Sequence, residues 1–174
     1  LNIKPIPGLS FQQVLGYENR QWESHYFRSK YHETELDASR KGYAELGFSK
    51  TENLTSEGYF TYMKEFEGGH NLNAVAGYSY FETNGEAFSM NNANFSVDGV
   101  KFWNMGEGSY LSDGKAGMSS SKNITEKLFA FFGRVNYAYG NRYHFDASLR
   151  TDGSSKFGRN ARWATFWSVG GMWN

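Results

Sequence analysis

Residues 128–151 read LFAFFGRVNYAYGNRYHFDASLRT, and the way apolar and polar side chains alternate along them decides the fold class. From Leu128 onward, Phe129, Phe131, Gly133, Val135, Tyr137 and Tyr139 fall on one side of an extended chain, and Ala130, Phe132, Arg134, Asn136 and Ala138 on the other. From Arg142 to Thr151, Tyr143, Phe145, Ala147 and Leu149 alternate with His144, Asp146, Ser148 and Arg150. Successive side chains of a strand point to opposite faces, so this period of two predicts two strands, each with an apolar and a polar face. The Gly140-Asn141 pair between them is a tight-turn signal, and the segment reads as an antiparallel hairpin.

The same pattern extends outward. Leu9, Phe11, Leu15 and Tyr17 oppose Ser10, Gln12, Gly16 and Glu18. Phe60, Tyr62 and Phe66 close a strand before Gly68-Gly69, and Leu72, Ala74, Ala76, Tyr78 and Tyr80 share a face after it. Trp163, Thr165, Trp167, Val169 and Trp173 share the last. These make about six strands, near the length of about 9–11 residues that a tilted membrane strand needs. The connections alternate: short turns at 67–70 and 140–141, long ones over roughly 21–51, 85–126 and 152–162. Short turns on one side and long loops on the other is the layout of bacterial outer-membrane barrels. Helical periodicity is weak, and residues 32–46 are expected to be loop with a short helical turn.

Composition agrees. The 174 residues include 20 Gly, 2 Pro and no Cys, with 18 basic and 18 acidic side chains. Trp, Tyr and Phe make up 18% of the chain, yet the mean hydropathy is −0.66. Aromatic richness at low hydropathy fits strands of which only one face meets lipid, and not a core packed with Leu, Ile and Val. Zero net charge argues against nucleic-acid binding, which needs clustered cations. The absence of cysteine excludes disulfides, thiolate zinc sites and Cys nucleophiles. There is no apolar run of about 18 residues to make a transmembrane helix. Leu1-Asn2-Ile3-Lys4-Pro5 is not a signal peptide, so the chain is expected to be an internal piece of a longer protein. Alternation alone also suits a soluble β-sandwich carbohydrate-binding module, which is the alternative. Tyr and Trp near the strand ends and the alternating loop lengths favour the barrel.

The stretch Leu128-Phe129-Ala130-Phe131-Phe132-Gly133-Arg134-Val135-Asn136-Tyr137 resembles a characteristic strand of SusC/RagA-type TonB-dependent outer-membrane transporters. Arg142-Tyr143, then Arg150-Thr151-Asp152-Gly153-Ser154-Ser155-Lys156-Phe157-Gly158, then Arg162-Trp163, Phe166, Ser168-Val169 and Trp173 follow at the spacing of that family. Upstream, His70-Asn71-Leu72-Asn73-Ala74-Val75-Ala76-Gly77 resembles its preceding hairpin, and Pro7-Gly8-Leu9-Ser10-Phe11 a strand start after a periplasmic turn. The sequence departs where Trp167 stands in place of a frequent Pro and Met172 in place of a usual Gly. The resemblance implies an all-β fold: a C-terminal fragment of a large antiparallel transmembrane β-barrel of about 22 strands. Residues 1–174 would belong to that barrel domain, with the plug domain absent, short periplasmic turns and long extracellular loops. It further implies the outer membrane of a Gram-negative bacterium and TonB-dependent import of a nutrient, an oligosaccharide before a peptide. The implied partners are a SusD-like surface lipoprotein, the TonB complex acting through the missing plug region, and outer-membrane lipid. No enzyme activity and no cofactor are implied. A small separate barrel, which needs at least eight strands, is a third reading.

Two groups of residues are candidates for function. Arg134, Asn136, His144, Asp146 and Arg150 lie on the expected lumen face, as plug contacts or lining of a substrate path, or as a mutually paired polar wall. Trp22, Tyr26 and Tyr31 in one expected loop, beside Phe27, and Trp103 and Tyr110 in another, beside Phe102, are candidate substrate contacts, because aromatic rings pack against sugar C–H faces and apolar side chains. Their alternative role is holding the loops together. Asp152-Gly153-Ser154-Ser155 is expected to form a turn. His25, His32, His70 and His144 lack zinc-site spacing, with His70 expected in a turn. Glu33, Glu35 and Asp37 lack the spacing of a calcium loop and are expected to be solvated. Gly106, Gly108, Gly114 and Gly117 are expected to mark a flexible loop with no phosphate-loop pattern. Neither a catalytic residue nor a metal ligand is expected.

Overall fold

The computed structural model describes residues 1–121, 124–140, 142–158 and 161–174. Its elements are β1 (Asn2–Ile6), β2 (Leu9–Arg28), α1 (Glu33–Asp37), β3 (Tyr43–Phe66), β4 (His70–Ala93), β5 (Gly117–Ser120), β6 (Ile124–Tyr139), β7 (Tyr143–Ser154) and β8 (Trp163–Trp173). The strands form one sheet in the order β1-β2-β3-β4-β6-β7-β8, with β5 paired to β4 beside β6. No described helix is long and apolar enough to cross a membrane, which has no bearing on crossing by strands.

All six expected strands are present, and two short ones, β1 and β5, join them. The strands are longer and the connections shorter than expected. β2 has 20 residues, and β3 and β4 have 24 each. Much of 21–51 is therefore strand, and the connection around α1 shrinks to residues 29–42. β4 likewise runs on to Ala93, and β7 to Ser154. The sequence hides this because residues 19–29 set charged and aromatic side chains on both faces, so no apolar face marks the end of β2.

The chain divides into two compact units. Unit one comprises Leu1–Glu18, Asn53–Thr83 and Thr125–Asn174. Its register follows the alternation: Phe132 pairs with Arg150, Arg134 with Ser148, Asn136 with Asp146 and Ala138 with His144. Across the next ladder, Arg150 pairs with Phe166, Ser148 with Ser168 and Asp146 with Gly170. The Gly68-Gly69 turn works because both residues take a positive φ (84° and 81°), which costs glycine nothing. Asn141, half of the other expected turn, lies outside the described residues; Arg142 N–H donates to the Tyr139 carbonyl at 3.1 Å. His70 is the first residue of β4 rather than part of a turn. Asp152, Gly153 and Ser154 are strand as well, and the turn begins at Ser155. Gly77 lets its neighbours on β3 and β6 approach closely: a Cβ there would lie 2.5 Å from the Gly58 carbonyl oxygen and 2.9 Å from Phe132 Cζ.

Unit one is a single layer. Ala130 is its only buried apolar residue among those described, while Trp167 and Val169 are 75% and 62% exposed. Among the described residues no second sheet covers the apolar side, as a soluble sandwich would require.

Unit two comprises Asn19–Glu52 and Asn84–Ile124. It does have a small core, formed by Ala44, Ala93 and Phe95, with Glu35 and Asn92 also buried. In the acidic run at 33–37, Glu33 and Asp37 are solvated as expected, but the run is not a loop and Glu35 is not solvated. The run is helix α1, capped by His32, whose Nδ1 accepts the Thr34 N–H, and Glu35 is wholly buried. Asn92 ties down the glycine-marked segment, donating through Nδ2 to the carbonyls of Met105 (2.6 Å) and Gly108 (2.8 Å). Gly117 lies in β5, not in a loop.

Candidate functional site

Unit one presents two faces of opposite character. The polar face carries Arg134, Asn136, His144, Asp146 and Arg150, which the structure brings together on β6 and β7. Arg134 Nε donates to Asp146 Oδ2 at 2.9 Å, and Arg150 Nε to both oxygens of Asp152 at 2.9 and 3.0 Å. The hydroxyls of Ser148 and Ser168 meet at 2.8 Å between these pairs. On the same face, Tyr59 donates to Gln12 at 2.7 Å. Near the short turns the wall dips into a hollow that Met63, Asn71, Asn136, His144, Asp146 and Met172 help to line. On β6 and β7 the charges of Arg134 and Asp146, and of Arg150 and Asp152, cancel in pairs, giving this part of the wall alternating donors and acceptors.

The opposite face is apolar. Phe11 packs on Phe60 at 4.6 Å between ring centroids, and Phe129 on Phe131 also at 4.6 Å. Its hydroxyls and amides pair with one another. Gln13 donates to Ser56 at 3.2 Å and accepts from Tyr78 at 3.2 Å, and Thr151 is bonded to Thr165. Satisfied polar groups are what a surface in hydrocarbon requires. At the short-turn end, His70 stacks on Tyr139 at 4.5 Å and shares a 2.6 Å hydrogen bond with Tyr137. Tyr143 stacks on Tyr139 at 6.4 Å, and the Arg142 guanidinium lies 5.5 Å from the Trp173 ring centroid. These rings with polar edges form a belt of the kind found at a membrane–water interface.

In unit two, Trp22 and Tyr26 lie within β2 rather than in a loop, on the same side as Ser24. A Cβ at Gly47 would lie 2.5 Å from Ser24 Oγ, which places Gly47 of β3 on this side too. Tyr26 and Tyr43 meet edge-on at 6.3 Å. Trp103 is elsewhere: it tilts against His25 at 6.3 Å, and His25 projects from the other side of β2. Tyr31 lies between β2 and α1 under the Lys30 ammonium (5.1 Å), and Tyr110 lies between β4 and β5 near Lys115 (5.5 Å). Trp22 and Tyr26 therefore share a face, while Tyr31, Trp103 and Tyr110 do not join them.

The sequence gives no signal for what surrounds Tyr26. Arg28 and Arg40 sit 5.1 and 5.0 Å from the Tyr43 ring centroid, and Arg28 sits 5.4 Å from that of Tyr26. Between the two cations is Glu35: Arg40 donates to both its oxygens at 2.8 Å, and Arg28 Nε lies 3.0 Å away. Tyr43 donates to Glu45 Oε2 at 2.8 Å. Burial, then the hydrogen bond to the Glu45 carboxylate, push the Tyr43 hydroxyl up to about 12. No group of three His, Cys, Asp or Glu among the described residues is placed to hold a metal ion.

No protein-family model matches the sequence. The TonB-dependent receptor P3 of Formosa agariphila is 34% identical over 172 residues, covering 97% of this chain and 16% of the receptor. The TonB-dependent receptor SusC of Bacteroides thetaiotaomicron is 48% identical over 46 residues, covering 26% of this chain and 5% of SusC. Among solved structures, the RagAB peptide importer in its closed-closed state matches with a TM-score of 0.83 at 24% identity, covering 99% of this chain and 18% of the importer chain. The chain thus spans only about a sixth of the length of the first of these relatives. A single-layer sheet with one apolar and one ion-paired polar face, matched along nearly its whole length, defines part of the β-barrel wall of a TonB-dependent receptor. The chain belongs to the SusC/RagA type of that family.

Proposed function

We propose that this chain supplies wall and mouth to an outer-membrane importer that takes up a nutrient oligosaccharide by TonB-dependent transport, beneath a SusD-like surface lipoprotein. The observation that carries the reading is the pairing of two faces in one layer. An uncovered apolar face suits lipid, and an ion-paired, hydrogen-bonding face suits a hydrated passage. The stretches Leu9–Glu18, Asn53–Phe66, His70–Thr83, 125–139, Tyr143–Ser154 and Trp163–Trp173 would span the bilayer, with the short turns in the periplasm. Arg134, Asn136, His144, Asp146 and Arg150 would face the lumen and meet a plug domain, through which TonB acts. The strands beyond these spans, with α1 and the connecting segments, would form the extracellular mouth. A peptide is the second reading, supported by the likeness to the RagAB peptide importer.

The test is uptake. Cells carrying the full receptor and its neighbouring lipoprotein should accumulate labelled oligosaccharide only while TonB is present. Uptake that persists without TonB, or a receptor recovered in the soluble fraction, would overturn the reading.

A further inference from the structure

We propose that Trp22, Ser24 and Tyr26 of β2 with Tyr43, Glu45 and Gly47 of β3 form a ring-binding platform for uncharged sugar residues of the transported oligosaccharide; this rests on the import reading. Trp22 and Tyr26 stand four residues apart on one side of a strand, about 13 Å along it. Between them the floor drops: Ser24 is small, and its hydroxyl sits in the space that a side chain at Gly47 would take. Two aromatic faces flanking a low floor bound a trough longer than one sugar ring. Both rings are open to a ligand, with Trp22 70% and Tyr26 48% exposed.

Charge points to an uncharged ligand. Glu35 is wholly buried and ion-paired to both Arg28 and Arg40, and Glu45, hydrogen-bonded to the hydroxyl of the Tyr43 ring that both cations flank, supplies the second negative charge, so two cations and two carboxylates leave the cluster with no net charge. What they leave open are the Trp22 ring and the exposed part of Tyr26, suited to the C–H face of a pyranose. Glu45 spends Oε2 on the Tyr43 hydroxyl, and its other oxygen has no partner among the described residues. That oxygen and the Ser24 hydroxyl would take the sugar hydroxyls, each of which can both donate and accept. The stack of Tyr26, Arg28, Tyr43 and Arg40 around a buried carboxylate fixes the platform before binding, so little ordering is left to do when a ring arrives.

The test uses the full receptor, purified in detergent. The probes are cello-, manno-, galacto- and malto-oligosaccharides, their uronate-bearing counterparts, and a mixed peptide pool. Titration calorimetry and tryptophan fluorescence report binding. The expected result is that at least one uncharged oligosaccharide binds. Trp22→Ala, Tyr26→Ala and Glu45→Gln should each weaken it by about threefold to tenfold, while Met118→Ala, whose side chain is exposed elsewhere, leaves it unchanged. Binding of peptides or uronates alone, no binding by any probe, or affinity unmoved by Trp22→Ala and Tyr26→Ala would overturn the platform. Uptake by energised cells is scored in parallel. Oligosaccharide import with affinity unmoved in these variants overturns the platform and leaves the import reading standing. Platform binding without import of any probe overturns the import reading alone.

Discussion

Leu149 and Ser148 are neighbours in β7, and the account gives them opposite surroundings. Leu149 is the seventh of the twelve residues from Tyr143 to Ser154, near mid-strand, and pairs with Gly133 and Trp167. It is 55% exposed and lies on the apolar face. If that face meets hydrocarbon, Leu149→Arg places a cation near the bilayer midplane at a cost of about 2–4 kcal/mol. Ser148 points the other way, and its hydroxyl meets that of Ser168 at 2.8 Å. Ser148→Arg adds a cation to a wall that already holds Arg134 and Arg150, and removes one exposed hydrogen bond worth about 1 kcal/mol or less. The two variants should therefore differ by roughly 2 kcal/mol, about thirtyfold in the folding equilibrium. The assay is denaturant titration of the full receptor folded into lipid vesicles, with receptor abundance in the outer membrane as a second readout. Equal destabilisation by the two substitutions, or a Leu149→Arg cost within about 0.5 kcal/mol of zero, as is usual at water-exposed positions, would refute the face assignment.

Three further outcomes follow from particular contacts. Gly77→Val forces a side chain against the Gly58 carbonyl and Phe132, so the unfolding midpoint in vesicles should fall by the equivalent of about 1–3 kcal/mol or more; an unchanged midpoint would contradict the packing. Glu35→Gln leaves Arg28 and Arg40 without their shared buried partner, a loss of about 3–5 kcal/mol. Residues 29–42 should then become protease-sensitive and exchange amides faster, while β6 and β7 stay protected; protection lost everywhere at once would contradict it. The Tyr43 hydroxyl is raised from 10.0 to about 12, so the folded state favours its protonated form. Its contribution to stability is whole below pH 10 and is lost as the pH rises towards 12. The tyrosinate absorbance missing from Tyr43→Phe should thus develop near pH 12; development near pH 10 would contradict the burial.

The barrel strands were legible because alternation is a local property. Each of Phe129–Tyr139 and Tyr143–Arg150 states its own two faces, and pairing only had to preserve them. The polar-face set was legible for the same reason: Arg134 and Asp146 follow from parity, although their 2.9 Å hydrogen bond does not. Unit two was less readable. β2 runs unbroken through Trp22 and Tyr26, but Asn19 to Ser29 mixes charged, aromatic and amide residues on both faces, so the pattern reads as loop. Glu35 looked solvated because it sits among charged neighbours. Its burial depends on Arg28 and Arg40 arriving from either side of α1, and no spacing rule encodes that. The Ser24–Gly47 approach depends on how β2 aligns with β3, which is set by the chain between them.

The central claim is that the two faces of this sheet meet different media, and a cysteine scan along β7 tests it most directly. The chain has no cysteine, so each substitution adds a single thiol to it. Positions 143 to 154 would be replaced one at a time in the full receptor, labelled with a fluorophore, and reconstituted in vesicles carrying lipid-attached nitroxide quenchers. The account predicts a period of two, with labels at 145, 147 and 149 quenched and those at 144, 146, 148 and 150 not. Quenching that is absent, or equal at odd and even positions, would contradict it.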